Sequence, residues 1–249
     1  MKSNNIYKSI SGGSGKKLVL LADPDEMNPQ FLKGLETVFE RAGVSMIFVG
    51  GSLVKSSAEK AVEMIKNRTS LPVVLFPGHP VQLAFNADAV LLLSLISGRN
   101  PEYLIGNHVI SAHSLRQSGL EIIPAGYILV GDGRATSVEY MSNTKPLPPS
   151  KPDLAVATAI AGEILGMKII YLEAGSGSAE SVPQRVISMV KENINIPLVV
   201  GGGIRDEKTL EGVFSAGADV AVVGTAFEEN MDKASRFLSV VKRYSGKSD

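Results

Sequence analysis

Short apolar runs recur along this chain, with stretches of helical spacing between them. The first, "KLVLLA" (17–22), is followed by Phe31, Leu35, Val38 and Phe39, which fall on one helix face. "SMIFVG" (45–50) precedes 57–66, where Ala58, Ala61, Val62 and Ile65 repeat the pattern. "PVVLFP" (72–77) and "AVLLLSLI" (89–96) follow closely, and then a helical segment near 101–117. "EIIPAGYILVG" (121–131) leads into a Pro/Ser/Thr loop that lasts to about Pro152. The remainder alternates regularly: a helix over 153–165, "KIIYLEAG" (168–175), a helix over 181–192, "IPLVVGGG" (196–203), a helix over 206–216, "ADVAVVGTA" (218–226) and a last helix over 227–243.

The runs are continuous rather than alternating, as parallel strands buried on both faces require. Eight of them with helical crossovers in 249 residues predict an α/β fold, a (β/α)8 TIM barrel in one domain over 1–249. A doubly wound open sheet is the competing architecture. Only about a dozen residues, "GHPVQLAFNAD", separate the third and fourth runs. A regular helix barely fits there, so the barrel is expected to be modified, with its third helix missing or reduced to a stub. Residues 1–16 carry no apolar core of signal-peptide length and are left as a mobile N-terminal segment.

Composition narrows the function. The formal net charge is zero, which gives no field for gripping nucleic acid or an anionic surface. Cysteine is absent, which removes disulfides, thiolate metal sites and thiol nucleophiles and fits a cytoplasmic protein. No apolar run approaches the roughly 20 residues of a membrane span.

Candidate chemistry lies at the ends of the runs, because a barrel of this kind works at the C-terminal ends of its strands and favours phosphate after the last two. Gly201, Gly202 and Gly203 end the seventh run, where the absence of Cβ lets an anion approach the backbone. Gly224 and Thr225 end the eighth and open a helix, whose first N–H groups favour a negative ligand. Together they predict a phosphate cradle. Arg205 either adds charge to it or faces solvent.

The first run ends in "LADPDE", which directs Asp23 at the barrel mouth, and the second in "VGGS", which adds the Ser52 hydroxyl. Hard oxygen donors of this kind suit Mg²⁺, which takes few carboxylates and completes its shell with substrate phosphates. Asp23 as a turn residue and Ser52 as a helix cap are the plainer alternatives. In the sixth run Tyr171 and Glu173 share a strand face, and Glu173 is a candidate base or hydroxyl-holder. His108 and His113, five apart on one helix, read as structural, and His79 remains a mouth candidate.

The ordered set "LADPDE", "VGGS", "LFPGHP", "RNPEYLIGNHV", "YLEAGSG", "GGGIRD" and "VGTAFE" resembles the geranylgeranylglyceryl phosphate synthases over about 17 to 240. The last two motifs alone occur in many phosphate-binding barrels; the whole set is specific. The resemblance implies a modified barrel lacking the regular third helix. It also implies prenyl transfer, in which the 3-hydroxyl of sn-glycerol 1-phosphate attacks C1 of geranylgeranyl diphosphate and diphosphate leaves, an early step toward archaeal-type ether phospholipids. Residue by residue, it places Mg²⁺ at Asp23 and Ser52. It places glycerol phosphate at Tyr171, Leu172, Glu173, Ala174, Gly175, Ser176, Gly177, Gly202, Gly203, Gly224 and Thr225, with Glu173 and Tyr171 as the catalytic pair. A homo-oligomer and a peripheral membrane contact for the lipid product are further implications.

The donor's tail needs an apolar groove, for which Phe76, Leu95, Ile96, Tyr103 and Ile105 are the candidates. Its length stays open, since related enzymes use longer prenyl diphosphates such as the heptaprenyl chain. Other readings are a phosphosugar isomerase barrel pairing Asp23 with Asp132, a thiamine-phosphate-synthase-like enzyme, and a non-catalytic phosphate-binding scaffold.

Overall fold

In the computed structural model, residues 5–13, 15–37, 39, 43–132, 136–224 and 232–244 are described. Eight strands, β1 (Lys17–Ala22), β2 (Val44–Val49), β3 (Val73–Leu75), β4 (Ala89–Leu95), β5 (Glu121–Leu129), β6 (Ile169–Glu173), β7 (Leu198–Gly201) and β8 (Val220–Val223), form one closed barrel in sequence order. All pairings are parallel, and Lys17 opposite Val220 begins the seam that closes β8 onto β1. An open sheet is thereby excluded.

Strand alternation sorts the side chains into two layers. Val19, Met46, Phe48, Val74, Leu91, Tyr127, Tyr171, Val199 and Val222 fill the lumen. Leu18, Leu20, Ile47, Val73, Leu172, Leu198 and Ala221 point outward and pack under the helices. Both layers are buried, which is why the runs read as continuously apolar.

The described residues open with a helix, α1 (Asn5–Ser11), inside the 1–16 segment read from sequence as mobile. Its Ile6 and Ile10 join the luminal cluster and plug the barrel. Glu121, buried at the start of β5, accepts the N–H groups of Ile6 at 2.9 Å and Tyr7 at 2.8 Å. A carboxylate at the first turn satisfies N–H groups that a helix cannot satisfy itself and complements its dipole. That contact spans more than a hundred residues, which is why local pattern did not reveal it.

The crossover helices are α2 (Pro29–Thr37), α3 (Ala58–Lys66), α4 (Asn107–Ser118), α6 (Pro152–Ile164), α7 (Gln184–Glu192) and α8 (Glu207–Ser215), and α9 (Asp232–Tyr244) follows β8. Ser57 and Asp206 cap α3 and α8 through their side-chain oxygens. Between β3 and β4 there is only a single 3₁₀ turn, Pro80–Gln82, as the short spacing predicted. Its Gln82 is buried and ties two strand ends together, accepting from Gly78 N at 2.9 Å and donating to Gly51 O at 3.0 Å.

Two rim elements lie outside the regular pattern. A π-helical turn, Glu102–Gly106, leads into α4. A short helix, α5 (Ser137–Ser142), stands inside the segment read as a loop. They are joined across the rim, where Tyr103 Oη donates to Met141 O at 3.1 Å and Asn100 Nδ2 to Ser142 O at 2.7 Å.

Candidate active site

The C-terminal strand ends open on a cavity of about 550 Å³. Asp23, Gly51 and Ser52 line one side of it, and Tyr171, Glu173, Ser176, Gly177, Gly202, Gly203 and Gly224 line another. Phe76 and Tyr127 also border it, and Ser137 and Val138 of α5 reach it from the rim.

Glu173, the last residue of β6, is 5% exposed. Its Oε1 accepts from Gly175 N at 2.7 Å. Burial raises its pKa from the ordinary 4.5 to about 7, while the Gly175 N–H and then the hydroxyls of Tyr171 and Tyr127 oppose the rise. Both tyrosines are held well above the usual phenol range, first by burial and then by the charge of Glu173. They therefore remain protonated donors. The Tyr171 hydroxyl is fully buried and completes no hydrogen bond among the described residues. A buried donor without a partner carries a desolvation cost that a ligand oxygen would relieve.

Gly202 and Gly203 follow with φ of +81° and +68°, a left-handed pair suited to glycine. A Cβ on Gly202 would lie 2.5 Å from Glu173 Oε1. Consecutive N–H groups in such a turn form a concavity for an anion. Among the described residues, the N–H groups of Gly202, Gly203 and Gly224 donate to no backbone carbonyl.

Arg205 borders the same cavity and is engaged at its edge. It donates from Nη2 to Gly177 O at 2.9 Å and from Nε to Ser178 O at 3.2 Å. The guanidinium thereby fastens the β6–α7 loop against the β7–α8 loop.

Across the cavity Asp23 is half-buried, and its Oδ1 accepts from Asp25 N at 2.9 Å. Burial raises its pKa; the Asp25 N–H opposes this, and the charges of Asp25 and Glu26 add to the rise. A Cβ on Gly51 would lie 3.0 Å from Asp23 Oδ2, so the glycine keeps the face of the carboxylate clear. Asp25 itself serves the scaffold, accepting from the N–H groups of Lys55 and Ser56 at 2.8 to 3.2 Å and pinning the loop that carries Ser52. Asn28 caps α2 through Phe31 N at 2.8 Å.

Hard oxygen donors, an accumulation of negative charge and an unobstructed carboxylate face fit a divalent cation. Among the described residues no group of three or more His, Asp or Glu side chains can hold a metal alone. Such an ion would draw further ligands from a phosphorylated substrate.

Several expected residues sit elsewhere. Leu172 points out of the barrel into the layer beneath the helices, and Ala174 packs against the same layer. Gly175 is engaged through its N–H with Glu173 and does not line the cavity. Thr225 lies outside the described residues. Asp132 borders a separate cavity of about 300 Å³, away from Asp23, which removes the two-acid pairing of an isomerase. His79 caps the 3₁₀ turn, accepting from Val81 N at 3.2 Å, and His108 Nε2 contacts Leu93 O at 2.9 Å.

The groove candidates divide as well. Phe76 and Tyr103 border a small apolar recess with Leu93 and Met141 that shares Gly51 and Ser52 with the main cavity. Leu95 lines a slot between the 3₁₀ turn and α4. Ile96 fills the space above Gly126 and Gly162, beneath α6, and Ile105 is exposed. Tyr127 and Glu26 were missed: the first reads as a core residue of an apolar run, the second as one of several loop acids.

Residues 14–242 match the model of the PcrB family. The geranylgeranylglyceryl phosphate synthase of Chitinophaga pinensis is 46% identical over 230 residues, covering 91% of each chain. That of Pyrococcus abyssi is 42% identical, covering 92% of each. The solved (S)-3-O-geranylgeranylglyceryl phosphate synthase of Thermoplasma acidophilum, in complex with its substrate sn-glycerol-1-phosphate, superposes with a TM-score of 0.88. It is 30% identical and covers 98% of this chain and 99% of its own.

Proposed function

The chain belongs to the PcrB family, and on that premise we propose that it transfers a geranylgeranyl group from its diphosphate to the 3-hydroxyl of sn-glycerol 1-phosphate. One observation carries this reading. A single cavity holds a glycine-built anion concavity, a buried carboxylate with a tyrosine donor beside it, and a second carboxylate on the opposite strand ends.

The geometry supports the following roles. Gly202, Gly203 and Gly224 receive the phosphate, and Ser176 and Gly177 close over it under the hold of Arg205. This fixes the alcohol end, whose oxygen then meets Glu173 and the spare hydroxyl of Tyr171. A neutral alcohol is a poor nucleophile, so positioning it in line is a large part of the work. As its oxygen bonds to C1 of the prenyl group, the C1–O bond to diphosphate breaks and the electron pair leaves with diphosphate. The hydroxyl proton passes to Glu173, whose pKa near 7 suits a base working at neutral pH. Asp23 and Ser52 are the residues that would hold Mg²⁺, which when bound neutralises charge on the departing diphosphate.

The prenyl tail leaves the mouth beside Phe76 and Tyr103 toward the place of the reduced third helix. Val81, Phe85, Val109 and Ile110 are exposed near that flank, which favours a peripheral contact with lipid. Leu154, Ile164 and Leu165 form an exposed apolar stripe on α6 and its end, which favours pairing with a second copy of the chain. No described helix is long and apolar enough to cross a membrane.

The test is incubation with Mg²⁺, sn-glycerol 1-phosphate and prenyl diphosphates of several lengths, with product masses read directly. The reading requires an ether product that forms best from the geranylgeranyl donor. A heptaprenyl preference would change the donor, and no transfer from any donor would refute the activity.

A further inference from the structure

The luminal end of β5 brings a third hydroxyl to the reaction centre, one that no motif marks. Tyr127 is paired in register with Tyr171, so the two stand side by side on neighbouring strands. Their rings lie 5.3 Å apart, and Phe76 contacts both at 5.9 Å and 5.1 Å. Tyr127 is 7% exposed, and what is exposed borders the same cavity as Glu173.

We propose that Tyr127 is a positioning residue for Glu173: wedged against Phe76 and Tyr171, it holds its hydroxyl on the carboxylate and fixes the orientation from which that group receives the substrate's proton. The inference deepens the prenyl-transfer reading and rests on it for the catalytic consequence; the contact itself is inferred from the shared register, the ring packing and the common cavity.

The surroundings of Glu173 leave two hydroxyls to serve it, those of Tyr171 and Tyr127. On its own strand and loop it faces Tyr171 and the N–H of Gly175. From β7 it meets Gly201 and Gly202, which have no side chain to offer. Asp23 and Glu26 lie across the cavity, and the Arg205 cation is spent on the carbonyls of Gly177 and Ser178. If Tyr171 turns its hydroxyl to the substrate, Tyr127 is the hydroxyl that stays with the carboxylate through the turnover. A donor to the charged form favours ionisation, so Tyr127 keeps Glu173 more available as a base than burial alone would.

The variant is Tyr127→Phe, which preserves the ring packing, with thermal unfolding recorded to establish that the fold is intact. The first readout needs no turnover. Protein carrying ¹³C at the glutamate carboxyl carbons is titrated by NMR, and the Glu173 signal is identified by its loss in Glu173→Gln. The midpoint should move upward in Tyr127→Phe; an unmoved or lowered midpoint overturns the proposal. The second readout is the pH dependence of kcat with glycerol phosphate and prenyl diphosphate. Its acid limb should move upward with the titration while the KM for glycerol phosphate changes little. A limb that stays in place overturns the catalytic role. Failure of the wild-type chain to form any ether product would instead strike at the prenyl-transfer reading, with the titration still deciding the contact.

Discussion

A side chain on Gly201 would project directly into the hydroxyl oxygen of Tyr171, so the bare backbone at the end of β7 is what lets that hydroxyl stand beside Glu173. The glycine has an ordinary strand conformation, and the conflict created by Gly201→Ala is therefore steric. The added methyl should displace Tyr171 and lower kcat by about a hundredfold, the order of loss that a misplaced reacting group brings. Tyr171→Phe removes the nearest obstructing atom, leaving the ring carbon Cζ at 2.9 Å and Glu173 Oε2 at 3.0 Å to be accommodated by small shifts. The double variant should therefore lose much less than the product of the two single losses, and independent losses in a double-mutant cycle would refute the relationship.

Glu173→Gln removes the proton acceptor and leaves the glycine concavity untouched. Turnover should fall by roughly 10²- to 10⁴-fold, the range typical of a general base. Glycerol phosphate affinity, measured by calorimetry, should stay within a few-fold. In the wild-type protein kcat should rise through about pH 7, where half of the carboxyls are charged. Equal losses of affinity and turnover would make Glu173 a binding group only.

The same carboxyl has a signature in stability. Its pKa in the folded state is about 7 against an ordinary 4.5, so between these values the folded chain binds the extra proton and stability falls as pH rises. The stability of Glu173→Gln relative to wild type should therefore rise by on the order of 3 kcal/mol as pH increases from below about 4 to above 7. Denaturant unfolding at several pH values measures it; a constant difference would mean that Glu173 is not a strained charge.

Asp23→Asn retains the shape of the side chain and its contact with Asp25 N but removes a negative charge. Diphosphate release followed against Mg²⁺ concentration should need about tenfold or more additional Mg²⁺ to reach half its maximum, the loss typical when a ligand or its near support is weakened. Chelation of the wild-type enzyme should abolish release. An unchanged Mg²⁺ requirement in the variant would place the ion elsewhere.

The strand ends were legible in the sequence because each joins an apolar run to a residue with little reason to be there: Asp23, Ser52, Glu173 and the glycines after β7. The reduced third crossover was legible from spacing alone, and the 3₁₀ turn at Pro80–Gln82 matches it. Leu172 belongs to the same motif stretch, but strand alternation turns its side chain away from Tyr171 and Glu173 into the layer beneath the helices. What stayed hidden depends on distant partners. Glu121 acquires its role only when α1 folds beneath it, and Tyr127 only through its register with Tyr171. For Arg205 sequence left charge at the phosphate site and exposure to solvent equally open, because it does not give the two loop carbonyls that the guanidinium binds at the cavity's edge.

The barrel's lumen is filled below the mouth by Phe76, Phe48 and Met46, and α1 stoppers its far end. A long hydrocarbon can find no room down the axis. On the proposed reaction, the donor's tail would turn at the mouth and run along the outer wall, over the strip that a full third helix would have covered. The proposed route thus brings a polar approach from above and a greasy one from the side, with the new bond formed where they meet. On the proposed reaction, such an arrangement would leave most of an oily product outside the barrel, ready for a bilayer, while the phosphate is still held.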